Sequence, residues 1–215
     1  KHWKSPKKNK WYIMSVKRTE TIHLKENSKL SWLCHISKNL YNQGNYIIKQ
    51  NWLNGHGYTK YEKVNEKLKG TENYKQLPAQ TAQQTLKLLD NNWKSFFKSM
   101  KDYKENPSKY YGKPQIPNYK KNGEYLFVFT NQQCKIKNGY LKFPKIMDMK
   151  IKTRLSSYDK INHVRIVPLG VGYKCEIVYE HETQNHELNH ENVASIDLEI
   201  NNVITMVNNI GKKPI

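Results

Sequence analysis

Between Leu77 and Tyr103 the apolar residues Ala82, Leu86, Leu89, Trp93, Phe96, Phe97 and Met100 recur at intervals of three and four, so a helix there lays one aromatic-rich stripe on a core. Leu77-Pro78 opens it, because proline is tolerated in a first helical turn. The stripe reads as core rather than as a base-stacking platform. The opposite face carries Gln80, Gln84, Lys87, Asn91, Lys94, Lys98 and Lys101. A merely solvated face needs no amides, whereas Gln and Lys together suit phosphates and the edges of bases or ribose. A second long amphipathic segment lies upstream. Asn27 or Ser28 caps a run in which Leu30, Leu33, Leu40, Tyr41, Ile48 and Trp52 keep helical spacing as far as Asn54-Gly55. A short polar helix over Tyr61 to Leu68 separates the two.

Strand signals flank this helical block. Trp11 to Leu24 mixes β-branched and aromatic residues with polar alternation, the pattern of a half-buried strand. Tyr110 to Lys121, YYGKPQIPNYKK, has two prolines, one glycine and a basic end, so it is expected as an ordered, extended loop. Short β-runs follow at Tyr125 to Thr130, Cys134 to Lys137, Tyr140 to Phe143, Ile146 to Ile151, Val164 to Val167 and Tyr173 to Tyr179. Asn138-Gly139 is the preferred type I′ hairpin pair, and Gly170 to Gly172 supplies a second turn. The expected fold class is α+β, with a mainly antiparallel second half.

Charge narrows the partner. The 215 residues hold 37 Lys and Arg against 18 Asp and Glu, a net charge of +19, which attracts polyanions and opposes compaction. A Lys- and Asn-rich composition raises the lysine count but does not explain so large an excess over the acids. Nucleic acid is therefore the expected partner, with an acidic membrane surface the weaker rival. The longest apolar run near the start, Trp11 to Met14, is too short for a signal segment or a membrane span. Mean hydropathy is low, −0.91, yet 12% aromatic residues argue for a packed chain. The setting expected is cytoplasmic, prokaryotic or viral and nucleoid-associated, with no membrane and no small-molecule substrate. Cys34, Cys134 and Cys175 are far apart and odd in number, so they read as buried thiols. Of the eight histidines, His181, His186 and His190 lie in the polar stretch His181 to Glu191, which reads as a linker rather than a metal site. Lys1 at the start, and Ile215 directly after a Gly-Lys-Lys-Pro turn, read as trimmed or truncated termini.

Val193 to Ile204, VASIDLEINNVI, changes character abruptly to an apolar strand interrupted by Asp197 and Glu199. A carboxylate buried in such a strand is costly unless it is paired or binds a cation. Asp197 therefore reads either as a magnesium ligand or as a strand-end residue making a turn hydrogen bond.

This strand resembles the start of the RuvC-like nuclease domain of TnpB (OrfB) proteins of insertion sequences, which typically reads Gly-Ile-Asp-Leu-Gly-Ile followed by Asn-Leu-Ala-Thr. Three upstream stretches match that family in the right order: LYNQGNYIIKQ at Leu40 to Gln50, LPAQTAQQTLKLLDNNWKSFF at Leu77 to Phe97, and GKPQIPNYK at Gly112 to Lys120. Together they are more specific than the acidic strand alone, and the resemblance covers nearly the whole chain. It implies a transposon-encoded protein associated with transposition, which binds a structured guide RNA and target DNA and cuts the DNA with Mg²⁺, as related type V CRISPR effectors do.

The same resemblance divides the chain into first strands of a wedge-like antiparallel barrel (1–26), a helical recognition lobe (27–110), the rest of the split barrel (111–182), a linker (183–192) and the start of an incomplete RuvC-like, RNase H-like domain (193–215). Asp197 maps onto the first metal-binding, catalytic carboxylate. The family's Glu and final Asp, and the zinc ribbon between them, lie downstream of these residues. Two Mg²⁺ about 3.5–4 Å apart require several carboxylates, so one Asp cannot build that site. Ser195 and Glu199 stand where the family prefers glycine, and strand alternation puts Glu199 on the same face as Asp197. The expected nucleic-acid contacts are Gln80, Gln84, Lys87, Lys94, Lys98, Lys113, Tyr119, Lys120 and Lys121. Binding ranks above cleavage, and a non-catalytic RNA- or DNA-binding remnant or regulator is the alternative.

Overall fold

A computed structural model describes residues 14–121, 123–183, 191–197 and 204–212. Along them run β1 (Met14–Leu24), α1 (Ser28–Leu53), α2 (Tyr61–Leu68), α3 (Glu72–Lys75) and α4 (Ala79–Glu105), followed by β2 (Phe127–Thr130), β3 (Lys135–Lys137), β4 (Tyr140–Lys142), β5 (Lys150–Lys152), β6 (Lys160–Pro168), β7 (Tyr173–Thr183), β8 (Ala194–Asp197) and β9 (Thr205–Asn208). The chain forms two compact units. Val16–His181 is one, and β8 and β9 belong to the other.

In the larger unit, helix α1 starts where its sequence says it should. Asn27 is extended, and its side-chain oxygen accepts from the Lys29 and Leu30 amides at 2.9 and 3.1 Å, filling two positions that the first turn leaves open. Leu33, Leu40, Tyr41 and Ile48 of α1 meet Leu86, Leu89 and Trp93 of α4, and none of these is more than 1% exposed. The two helices approach closely because Gly44 lacks a side chain, since a Cβ there would stand 2.7 Å from Leu89 Cδ2. Beneath them lies a four-stranded sheet in the order β1-β7-β6-β2, with Phe127, Phe129, Val164, Ile166, Cys175 and Ile177 fully buried. Each such side chain contributes about 1.5–3 kcal/mol on leaving water. Strand β1 thus joins β2, β6 and β7 in one sheet, although all four helices lie between β1 and β2 in the chain.

Strands β3, β4 and β5 form a separate antiparallel ladder that turns Ile136, Leu141 and Ile151 inward. Its first hairpin is made by Asn138 and Gly139, both at positive φ (54° and 72°), as a type I′ turn requires. Cys34, Cys134 and Cys175 are buried free thiols, and burial raises all three above their ordinary value.

The observed elements depart from expectation in four places. Helix α3 has no periodic signal, being a single turn between Thr71 and Gln76. Ile146 is not in a strand, because Pro144 starts a 3₁₀ turn over Lys145–Met147, and Asp148 then adopts a left-handed conformation (φ 42°), leaving only Lys150–Lys152 extended. Strands β6 and β7 run longer than their apolar cores, because Lys160 and Glu180 pair at their ends and are joined by an ion pair of 2.8 Å. Among the described residues the strands form three separate ladders, with β1 and β2 as the edges of the largest.

In the smaller unit β8 pairs antiparallel with β9, and Asp197 lies opposite Thr205. All four β8 residues are exposed, as are Val193, Ile204, Val207 and Ile210.

Gly172, in the turn between β6 and β7, carries φ +73°, and a Cβ there would stand 2.3 Å from the Leu24 carbonyl oxygen. Gly172→Ala is expected to destabilise the chain by about 2 kcal/mol or more, combining left-handed strain with a backbone clash, read as a lower denaturant midpoint at unchanged slope.

Candidate nucleic-acid interface

The loop that the sequence marks as ordered and basic is pinned along α1 by side-chain amides. Asn42 Nδ2 donates to the Lys120 carbonyl at 3.0 Å, and Asn42 Oδ1 accepts from the Lys120 amide at 2.8 Å. One turn on, the fully buried Asn45 donates to the Pro117 carbonyl at 3.0 Å and accepts from Trp93 Nε1 at 2.9 Å. These bonds give an irregular segment the partners that its backbone needs. They also fix where its charge goes. The Lys120 ammonium stands 5.0 and 4.7 Å from the ring centroids of Tyr41 and Tyr125, and burial raises the Tyr125 phenol to about 12, so the cation rests on neutral π faces. Lys49 lies 4.4 Å from the centroid of Tyr119. Burial and the nearby Tyr46 both raise the Tyr119 phenol. Lys113 and Lys121 are exposed on the same loop.

Helix α4 distributes its candidates differently. Gln80 is committed within the fold: its Nε2 donates to Gln132 Oε1 at 2.6 Å, and its Oε1 accepts from the Thr130 hydroxyl, tying the helix start to the end of β2. Lys87 lies 5.5 Å from the Tyr61 ring centroid, and Lys94 forms a 2.6 Å ion pair with Asp90. Gln84 is half-buried and Lys98 is exposed. The structure therefore gathers Tyr119 and Lys120 with α1, turns Lys87 and Lys94 towards the segment at Tyr58 to Tyr61, and uses Gln80 elsewhere.

Sequence reasoning missed a cluster of charge that strand pairing creates. On the outward face of β3-β4-β5, Lys135 faces Lys142 and Lys142 faces Lys150, while Lys137 faces Tyr140 and Tyr140 faces Lys152. All six are exposed, and among the described residues no carboxylate lies within ion-pair distance of the five lysines. Strands stand about 4.8 Å apart, and like charges placed directly opposite one another destabilise a sheet. The signal was present in KIK, YLK and KIK, where lysine alternates with one buried apolar residue. Its meaning depended on pairing, which the sequence does not state. Beside these rows a hollow of about 580 Å³ is lined by Lys142, Lys145, Asp148 and Lys150.

Asp197 is the last residue of β8 and its side chain is exposed, so the burial cost inferred from its apolar neighbours does not arise. Glu199 lies outside the described residues, as do His186 and His190, while His181 falls in β7. Among the described residues no three His, Cys, Asp or Glu side chains come together as a metal-holding group. Asp197 therefore does not fit a Mg²⁺ centre with the described residues alone. No described helix is long and apolar enough to cross a membrane.

The Asp90 carboxyl holds the helical segment together. It is 5% exposed and accepts from the Tyr58 hydroxyl and, at 3.0 Å, from the Tyr61 amide. Burial alone would raise it, but the Lys94 and Tyr58 hydrogen bonds, the Lys94 charge and the Tyr61 amide outweigh burial and hold it below its ordinary value. Its stabilisation is present above the ordinary carboxyl range and is lost as pH falls through the lowered value. Asp90→Asn should cost about 1–3 kcal/mol at neutral pH, and thermal midpoints measured against pH should show the wild-type advantage vanishing in acid. Comparison with models of known protein families and with curated protein sequences finds no match.

Proposed function

We propose that this chain grips nucleic acid, and that it does so as a TnpB-like protein holding a structured guide RNA and its target DNA. The observation that carries the grip is the pair of bare cross-strand rows, Lys135-Lys142-Lys150 and Lys137-Tyr140-Lys152. A fold gains nothing from stacking three ammonium groups side by side without acids. A polyanion laid across them releases condensed counterions and removes their mutual repulsion. Tyr140, 43% exposed between two lysines, adds a face on which a base can stack.

Support for the TnpB-like reading comes from the three sequence stretches and from where they fall. LYNQGNYIIKQ contributes Asn42, Gly44 and Asn45, and GKPQIPNYK contributes the Pro117 and Lys120 groups that those asparagines hold. On this reading the sheets built from β1 to β7 are the wedge-like barrel, α1 to α4 are the recognition lobe, and β8 with Asp197 begins the RuvC-like domain. The exposed Val193, Ile196, Ile204, Val207 and Ile210 support a further layer over β8 and β9, because a two-stranded ribbon is marginal in water. These residues are assigned the grip and not the cut.

Structured RNA should be retained at low salt with steep salt dependence, and loss of retention by the purified chain would defeat the proposal. Replacing Lys135, Lys142 and Lys150 together by alanine is expected to lower the salt slope by about 2–3. It should also raise the thermal midpoint, because like-charge repulsion across the ladder is relieved. A triple variant that keeps the full salt slope would show that the rows are not the contact. Adding Mg²⁺ and target DNA to the RNA complex tests the remainder. Uncut DNA from these residues favours the non-catalytic binder, and cut DNA the nuclease.

A further inference from the structure

One cavity of the larger unit takes no part in the grip described above. Asn39, Asn42, Gln43 and Tyr46 on one face of α1, with Leu68 of α2 and Asn73 of α3, line an open surface hollow of about 510 Å³. That volume lies within the roughly 300–1,000 Å³ of small-ligand sites. Its polar lining consists of carboxamides and one phenol, with no carboxylate and no lysine. Asn42 is held by Lys120, but among the described residues the side chains of Asn39, Gln43 and Asn73 make no hydrogen bond. Gln43 Oε1 is closed off from water and also lacks a partner, a costly state that rotation of its amide towards a donor in the cavity would relieve. Three amides without a protein partner around one hollow, one of them with a buried orphan oxygen, can serve a ligand that offers donors and acceptors side by side.

The surroundings narrow the class. A carboxamide pairs in bidentate fashion with the edge of a nucleobase, and a planar ring can lie against Leu68, Ile47 and the Tyr46 ring, which is 57% exposed. Lysines belong to the neighbouring stretch of α1 and to the loop that Asn42 holds. Tyr46 is close enough to Tyr119 to raise its phenol, Lys49 covers the Tyr119 ring, and Asn42 holds Lys120. An uncharged amide lining suits the edge of a base, and the lysines of the adjoining loop and helix suit a phosphate. We propose that this cavity takes one unpaired base of an RNA strand held by the same unit, so that α1 to α3 read sequence where the lysine rows read only charge. The inference rests on the nucleic-acid reading and adds selectivity to it.

The test titrates the full chain at fixed low salt with short homopolymeric RNAs of each of the four bases, and then repeats the series with Gln43→Ala and, separately, Asn73→Ala. Asn73→Ala removes no hydrogen bond of the fold, so it keeps the test valid if Gln43→Ala does not fold. The expected result is that one homopolymer binds about tenfold more tightly than the weakest, and that both variants level the four while leaving the salt slope unchanged. Equal affinities in the wild type, or a preference that survives both variants, would overturn the pocket and leave the grip standing. Displacement of the strand by nucleoside monophosphates at the strand's own affinity would overturn it in favour of a free-nucleotide site. Absence of RNA binding altogether would remove the grip and the pocket together.

Discussion

Asn45 is an uncharged polar side chain with no exposure, and it is satisfied at both ends: Trp93 donates to it from α4 and it donates to Pro117 in the loop. A buried amide tolerates few alternatives, because sliding α1 along α4 or lifting the loop would strand a donor or an acceptor away from water. Gly44, directly before it, lets Leu89 come close enough for that bond to form. Asn42, one turn earlier, repeats the arrangement with both backbone groups of Lys120. The loop is thus laid along a helix through amides that act as a substitute strand. The positions of Tyr119, Lys120 and the α1 cavity all follow from this arrangement.

The second constraint is charge. With 18 acids against 37 basic residues, how the acids are used decides which cations stay bare. The best-placed acids are nearly buried. Asp90 binds Tyr58, Tyr61 and Lys94; Glu20 takes the Thr153 hydroxyl and the Arg154 backbone and side chain; Glu176 pairs with Arg165 and Lys174. Each of these carboxylates sits inside and fixes local geometry, where losing a partner is expensive. None reaches the β3-β4-β5 face. Internal order and external positive potential are therefore served by separate sets of residues, and the β3-β4-β5 face sets like charges side by side.

Helices α1, α2 and α4 were legible because their cues are local: the Asn27 cap, Leu77-Pro78, and apolar residues repeating every three or four positions. The Asn138-Gly139 hairpin was legible for the same reason. Helix α3 was not, since a single turn has no period, and the break at Asp148 was hidden inside an apolar run. Among the candidate residues, Lys120 and Tyr119 belong to a loop whose order was legible in its prolines and glycine. Gln80 looked like a surface amide because nothing local shows that Thr130 and Gln132, some fifty positions away, would meet it. Lys135, Lys142 and Lys150 passed unnoticed because each, taken singly, is an ordinary strand-surface lysine.

The amino-acid sequence by itself determined the α+β class, the helical block set between the first strand and the rest, the strongly basic character and the ordered proline-rich loop. Each of these is written in neighbouring residues, through periodicity, caps, turn pairs or a charge count. Tertiary structure alone decided which lysines stand opposite one another, which amides are spent inside and which are left idle around a cavity, and that Asp197 ends an exposed strand. Cross-strand register and helix packing join residues far apart in the chain, and whether a polar group is satisfied depends on the partner that folding delivers to it.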